Sequence, residues 1–187
     1  MDTTDTTDTT DTPVHTGPGP RPVPGWATAA GLLALTPAGS HPAQGPAQDR
    51  DQVLDRLLIA ERIARYGWAY DERDQDALAG CFTADATWRG TVMGEIDIPT
   101  RHGADTIAAQ EAALWPQQGD QRRHLFTNHV IDLAGDRATA HAYMIQLRIR
   151  DAASALAVSG AYRFHLRRET GRGWLIDSLT AALDNLT

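Results

Sequence analysis

Three residues of this chain have the side-chain types that acid–base catalysis needs: Tyr66, Asp71 and His124. Imidazole is the natural proton shuttle near neutral pH, a carboxylate beside it holds its tautomer, and a tyrosine hydroxyl polarises a carbonyl group. Spacing alone leaves two interpretations open. The three side chains meet in a general-base site, or they are a capped helix end together with a histidine of the core.

The segment RRHLFTNHVI, which contains His124, is predicted to be a strand. Successive side chains of a strand point to opposite faces, so His124, Phe126 and Asn128 are expected to share one face. His129 is then expected on the other face, in packing or at a dimer surface.

Other chemistries find little support in the sequence. The chain has no lysine, which excludes a Schiff base, and its single cysteine, Cys81, excludes an internal disulfide. No His-x3-His, His-Glu-x-x-His, Gly-x-Ser-x-Gly or glycine-rich phosphate motif is present. We therefore expect neither a metal nor a cofactor.

The charge of the chain also limits its partners. A net charge of -7 without an arginine-rich stripe argues against nucleic-acid binding. The apolar run at 26–39 is too short to span a bilayer and follows an acidic segment, unlike a secretory signal. We expect a cytoplasmic protein with no membrane contact.

The chain divides into two parts. Residues 1–48 form an acidic Thr/Pro-rich tail, which is predicted to be disordered except for a weak helix in the apolar run 26–39. Residues 49–187 are predicted to form one domain.

The predicted elements of that domain are three helices followed by long strands. The first helix starts near Asp49 with an apolar stripe, the second is capped by Asp74 or Asp76, and the third runs from about Gly103 to Leu114. AGDR and ETGRG are predicted to be the turns of two later hairpins. The apolar stripe of the first helix consists of Val53, Leu54, Leu57, Leu58, Ile63 and Tyr66.

The stretches IARYGWAYDERDQDALAGCFTADATW and RRHLFTNHVI resemble the SnoaL-like branch of the nuclear transport factor 2-like superfamily, over about residues 50 to 185. Four motifs carry the resemblance, in the order of the family. They are a Tyr-x4-Asp pair (Tyr66 and Asp71), a segment from Asp74 to Ala86, an Arg-His-x-x-Thr-Asn strand from Arg123 to Asn128, and a Gly-x-Tyr run with a later Gly-Trp turn (Gly160, Tyr162, Gly173, Trp174).

This resemblance implies an α+β fold, a cone-shaped barrel in which a strongly curved, mainly antiparallel sheet wraps around about three N-terminal helices and encloses one apolar pocket. It also implies roles for the three residues. His124 is the general base, Asp71 orients it and Tyr66 donates a hydrogen bond to the developing enolate. The expected substrate-binding residues are Asn128, Trp88, Phe126, Met144 and Gln146.

Where the related scytalone dehydratase has a second histidine, this chain has Tyr143, Gln146 and Arg148, so no second acid or base is assigned. The resemblance implies a cofactor-free lyase, isomerase or cyclase that acts on a small hydrophobic metabolite and forms a homodimer or homotrimer. The alternative is a non-catalytic small subunit of a ring-hydroxylating dioxygenase or a hydrophobic-ligand binding module.

Overall fold

The structure is a computed structural model that describes residues 46–185 together with Ala27, Gly31 and Leu35. The predictions for the tail 1–48 and its apolar run 26–39 therefore lie largely outside the described residues. The elements are α1 (Pro46–Asp71), α2 (Gln75–Ala79), β1 (Phe82–Val92), β2 (Ile96–His102), α3 (Ala104–Ala112), a 3-10 turn (Trp115–Gln117), β3 (Gln121–Ala134), β4 (Arg137–Arg150), β5 (Ala153–Glu169) and β6 (Gly173–Leu183).

The six strands form one sheet in the order β2-β1-β6-β5-β4-β3. All neighbours are antiparallel except β1 and β6, which are parallel. The predicted α+β fold, with helices packed on a curved and mainly antiparallel sheet, is confirmed. One expectation about order is wrong, because β1 and β2 lie between the second and third helices. β1 pairs with β6, which is distant in the sequence, and β2 pairs with β1 at the edge of the sheet.

The first helix begins at Pro46, three residues before its predicted start. Its buried face is carried by Ile59, Ile63, Tyr66 and Tyr70, which are spaced at helical intervals and less than 9% exposed. The predicted stripe is wrong in its first half, since only its last two members, Ile63 and Tyr66, are buried. Its first four members, Val53, Leu54, Leu57 and Leu58, are between 41% and 64% exposed.

Two contacts hold α1 against the start of β6. The Arg62 guanidinium donates to the Trp174 carbonyl at 2.7 Å, and the Trp174 indole N–H donates to the Asp55 carboxylate at 3.0 Å. The Arg168 guanidinium pairs with the same Asp55 and lies 4.7 Å from the Trp174 ring centroid. These contacts fix the direction of α1, which ends at Asp71.

The short helices match their sequence signals. Asp74 caps α2, its carboxylate accepting from the Ala77 N–H at 2.9 Å, as predicted. The third helix is shorter than predicted and ends at Ala112, before the turn that contains Pro116. Within the described part of the chain, no helix has the length and apolar character needed to cross a membrane.

Both predicted hairpins are present, β3–β4 through Gly135 and Asp136 and β5–β6 through the ETGRG turn. A β-bulge interrupts β3, because Thr127 pairs with Tyr143 while Val130 pairs with His141. One extra residue in β3 reverses its alternation. Even-numbered residues such as Phe126 face the core before the bulge, and odd-numbered ones such as Ile131 do so after it.

Gly160 of β5 pairs with Leu183 of β6. A Cβ added there would collide with the Ala182 carbonyl oxygen and lie 3.0 Å from the Leu183 Cα. Both obstacles are backbone atoms of the paired strand, which cannot move without breaking the ladder.

We predict that Gly160→Ala lowers the free energy of unfolding by about 1–3 kcal/mol, since overpacking forces the backbone to shift. Urea denaturation measures the effect. The matched control is Gly119→Ala, whose added Cβ meets only the flexible Arg150 guanidinium, and which should change stability by less than about 0.5 kcal/mol. Equal stability of the two variants would contradict this account of the β5–β6 contact.

Candidate active site

The carboxylate at the end of α1 holds the histidine of β3 by two hydrogen bonds. Asp71 Oδ1 lies 2.6 Å from His124 Nδ1, and Asp71 Oδ2 accepts from the His124 backbone N–H at 2.7 Å. The side chains of Asp71 and His124 are 5% and 7% exposed. Burial of a carboxylate is costly unless hydrogen bonds satisfy it, and here both of its oxygens have donors from the same residue.

A chain of polar groups selects the tautomer of His124. The Arg122 guanidinium donates to Gln146 Oε1 at 2.7 Å, which turns the amide NH2 group toward His124 Nε2, also at 2.7 Å. An amide NH2 group can only donate, so Nε2 is the acceptor and Nδ1 carries the proton that Asp71 accepts. Asp120 pairs with Arg122 at 2.6 Å and holds the chain in place. The lone pair of Nε2, which a base would use, faces a donor that a substrate must displace.

Gly67 allows α1 and β3 to approach at this point. A Cβ on Gly67 would lie 3.3 Å from His124 Cβ and 3.3 Å from the Phe126 ring. Gly67 and Asp71 are four residues apart and so lie on one helix face. The glycine therefore provides the close approach that the carboxylate needs to reach the imidazole.

Tyr66 lies in an aromatic cluster beside the histidine. Its ring centroid is 5.9 Å from that of Phe126 and 5.7 Å from that of Phe82, and Phe126 stacks at 6.3 Å on the His124 ring. Burial raises the pKa of Tyr66 well above its usual value, and the neighbouring Tyr162 adds to this. Its hydroxyl therefore keeps its proton and can donate a hydrogen bond.

A second tyrosine, Tyr70, has its ring in direct contact with the imidazole. Tyr70 is edge-on to His124 with ring centroids 4.8 Å apart, and its hydroxyl accepts from Gln118 Nε2 at 2.8 Å. Burial raises the pKa of Tyr70 to about 12. Tyr70 was not among the site residues expected from the sequence. Tyr70 lies four residues after Tyr66 and so on the same helix face. This spacing was the signal in the sequence that Tyr70 belongs to the site.

Four of the five expected substrate-binding residues are buried or half-buried. Met144 and Gln146 are the strand partners of Phe126 and His124, and Trp88 is 5% exposed. The fifth, Asn128, was expected on the same strand face as His124, and this expectation is wrong. It sits at the β-bulge with a φ of 56° and is exposed, so it does not share the face of His124. Strict alternation fails there because the bulge inserts one residue.

A buried ion pair that sequence reasoning missed lies near these groups. Glu111 of α3 pairs with Arg101 of β2, and the Arg101 guanidinium lies 4.3 Å from the Trp88 ring centroid. The pKa of Glu111 is raised by burial, which outweighs the opposing effect of Arg101. The signal in the sequence was the position of Glu111, three and four residues after the buried Ala108 and Ile107.

Among the described residues, no three His, Cys, Asp or Glu side chains converge as a metal site requires.

A groove with a volume of about 700 Å³ lies between α1 and α2, and its lining includes Trp68, Arg62 and Cys81. His124 is not part of it. The interior apolar pocket that the family resemblance implies thus stays a prediction.

Comparison with known proteins agrees with the fold. The SnoaL-like domain matches residues 51–180. The chain belongs to the SnoaL-like domain family. No curated protein matches it.

Solved structures place this SnoaL-like domain among nuclear transport factor 2-like folds. A variant of Rv3472 of Mycobacterium tuberculosis, a protein of unknown function, is 25% identical, with 78% of this chain and 80% of that chain covered and a TM-score of 0.65. An NTF2-like protein with a cystatin-like fold from Novosphingobium aromaticivorans is 26% identical, with 78% and 92% covered and a TM-score of 0.63. ActVI-ORFA of Streptomyces coelicolor, 23% identical over 67% and 95% with a TM-score of 0.59, shares the fold.

We predict that Asp71→Asn reverses or mixes the tautomers of His124. An amide has one oxygen and one NH2 group, so one of the two His124 donors would face another donor. The free energy of unfolding should fall by about 1.5–3 kcal/mol, the usual contribution of a hydrogen bond to a charged group. Imidazole ¹⁵N chemical shifts report the tautomer.

The matched control is Asp74→Asn, because asparagine caps a helix as well as aspartate does. An Asp71→Asn protein with the same ¹⁵N shifts and stability as this control would contradict the proposed role of the carboxylate.

Proposed function

We propose that this SnoaL-like domain is a cofactor-free acid–base catalyst that removes a proton next to a carbonyl group. Its substrate would be a small hydrophobic metabolite of polyketide, terpenoid or steroid type, and proton removal would lead to dehydration, isomerisation or ring closure. The observation that carries the proposal is the buried Asp71–His124 pair, whose second ring nitrogen is directed inward as an acceptor.

The contacts of His124 suit a general base. When Nε2 takes a proton, the imidazolium that forms is stabilised by the Asp71 carboxylate at Nδ1, 2.6 Å away. The same carboxylate also fixes the ring through the backbone N–H. Such a pre-positioned base contributes about 10²–10⁴-fold to a proton transfer.

The surroundings of the base suit an apolar substrate with one carbonyl. Phe126, Met144 and Trp88 supply apolar surface, and the Tyr66 hydroxyl, which keeps its proton, would donate to the developing enolate oxygen. A hydrogen bond to developing charge is worth most where water is excluded. The exclusion of water from this side of the sheet therefore supports the proposed chemistry.

We also propose that the chain forms a homo-oligomer through the outer face of its sheet. Leu125 and Ile145 are direct cross-strand neighbours, and Tyr143 lies beside them on β4. These three side chains are between 38% and 56% exposed. A second copy fits this face, because a contact of one patch with itself closes by two-fold symmetry and pairs apolar surface with apolar surface.

A test of the base uses the aldol adduct of benzaldehyde and acetone, an aryl β-hydroxy ketone, in deuterium oxide. We predict that the protein accelerates deuterium uptake at the methylene next to the carbonyl, and that His124→Ala slows this by about 10²–10⁴-fold. Proton NMR follows the exchange. The control is His102→Ala, which removes an exposed histidine. The proposal fails if the unsubstituted protein gives no acceleration or if His124→Ala exchanges as fast as the control.

A test of the outer face measures mass by light scattering over a dilution series. We predict a homo-oligomer that Ile145→Glu weakens by about tenfold or more, because a buried unpaired charge costs more than about 1.4 kcal/mol. The control is Leu57→Glu on α1, where the leucine is 64% exposed. A chain that is monomeric throughout, or a stable complex only with a larger partner chain, would favour the non-catalytic subunit instead.

A further inference from the structure

The ion pair between Glu111 and Arg101 has no role in the reaction as proposed so far. Its side chains are 8% and 14% exposed, and Glu111 lies on the buried face of α3. Replacement of a buried ion pair by apolar side chains is often neutral or stabilising, so stability alone does not explain its presence. A chemical role is the better account of a carboxylate at this position.

The position of Glu111 relates it to the same groups that surround the base. The Tyr70 ring contacts that of His124, with centroids 4.8 Å apart, and also that of Trp115, at 6.1 Å, in the turn that follows α3. Burial raises the pKa of Tyr66, Tyr70 and Tyr162, and the charge of Glu111 adds to this. The elements that present these groups differ. His124 comes from β3 and Glu111 from α3, with the three phenols contributed by α1 and β5. Two titratable groups, His124 and Glu111, therefore border the same aromatic interior from different elements.

Arg101 is held where it can serve Glu111. Arg101 and Trp88 are direct partners across the β1–β2 ladder, and the guanidinium stacks over the indole ring. An arginine fixed by a cation–π contact keeps its position while the charge of its partner changes. It is therefore placed to stabilise a carboxylate that has just lost a proton.

We propose that Glu111 is the general acid of the same reaction, giving its proton to a leaving hydroxyl group while Arg101 stabilises the carboxylate that remains. This inference rests on the proposed function, since it needs His124 as the base. It commits the site to dehydration, and so to a substrate with a hydroxyl group on the carbon β to its carbonyl.

The dehydration conserves atoms and electrons. His124 Nε2 takes the α proton, and the electron pair of that C–H bond becomes the new double bond between the α and β carbons. The bond from the β carbon to oxygen breaks, and the oxygen leaves as water with the proton from Glu111. His124 ends protonated and Glu111 ionised, and transfer of one proton from His124 to Glu111 through solvent restores both.

The environment of Glu111 agrees with a role as proton donor. Burial raises its pKa above the usual value, although Arg101 acts in the opposite direction. Because the protonated carboxyl is the active form, dehydration should decline as the pH rises through this raised pKa. Arg101 from β2 pairs with Glu111, and the groups that interact with it electrostatically are His124 from β3, Tyr66 and Tyr70 from α1, and Tyr162 from β5.

The test separates the two proton transfers in one probe, the aryl β-hydroxy ketone used above. Deuterium uptake at its methylene reports proton removal, and absorbance of the product benzylideneacetone reports loss of water. We predict that Glu111→Gln slows dehydration by about 10²-fold or more and removes the decline at high pH, while deuterium uptake stays at the level of the control. The control is Glu61→Gln, an exposed glutamate that also pairs with an arginine, Arg65.

Each other outcome decides the inference. Dehydration by Glu111→Gln at the rate of Glu61→Gln would overturn the role of Glu111 and leave the base untouched. Equal loss of exchange and dehydration in a folded Glu111→Gln protein would overturn the role as acid and show that Glu111 positions the base. If neither His124→Ala nor Glu111→Gln slows deuterium exchange, the proposed function itself is overturned.

A second variant covers the case in which Glu111→Gln does not fold. The double substitution Arg101→Met with Glu111→Leu replaces the ion pair by apolar side chains of similar size, which buried sites tolerate well. It should keep deuterium uptake and lose dehydration. Dehydration at the rate of the control in this variant would overturn the inference.

Discussion

The contact between Asp71 and His124 is the constraint on which the rest of the site depends. It joins the last residue of α1 to β3, a strand at the edge of the sheet that pairs with β4. Two hydrogen bonds from one histidine satisfy both carboxylate oxygens. Because a buried carboxylate without donors is costly, α1 must end level with His124. Gly67 must leave room for β3 to approach the helix.

The polar groups that lead to the imidazole are arranged so that each link pairs a donor with an acceptor. Asp120, Arg122 and Gln146 form one chain that ends at the second nitrogen of the imidazole. Each link limits the orientation of the next, so the tautomer of a single ring is determined by a carboxylate on one side and an amide on the other. This arrangement suits the role of base that we propose for His124.

Aromatic packing gives these polar groups their low-dielectric surroundings. Tyr66, Phe126 and Phe164 contact one another by their edges and faces, and burial raises the pKa of the tyrosine hydroxyl. The same exclusion of water raises the pKa of Glu111. One physical cause thus favours the protonated form of both the tyrosine hydroxyl and the carboxyl group.

The sequence by itself indicated the three helices and the two later hairpins with their turns, and it named Tyr66, Asp71 and His124 as candidate site residues, because these depend on local periodicity, capping residues and motif order. It indicated Asp74 as a cap and AGDR as a turn, and both were confirmed. Only the tertiary structure decided which surfaces are covered and which groups meet. The parallel pairing of β1 with β6, the exposure of Asn128 at a bulge and the Glu111–Arg101 pair all arise from how one element packs or pairs with another, which spacing within an element does not encode.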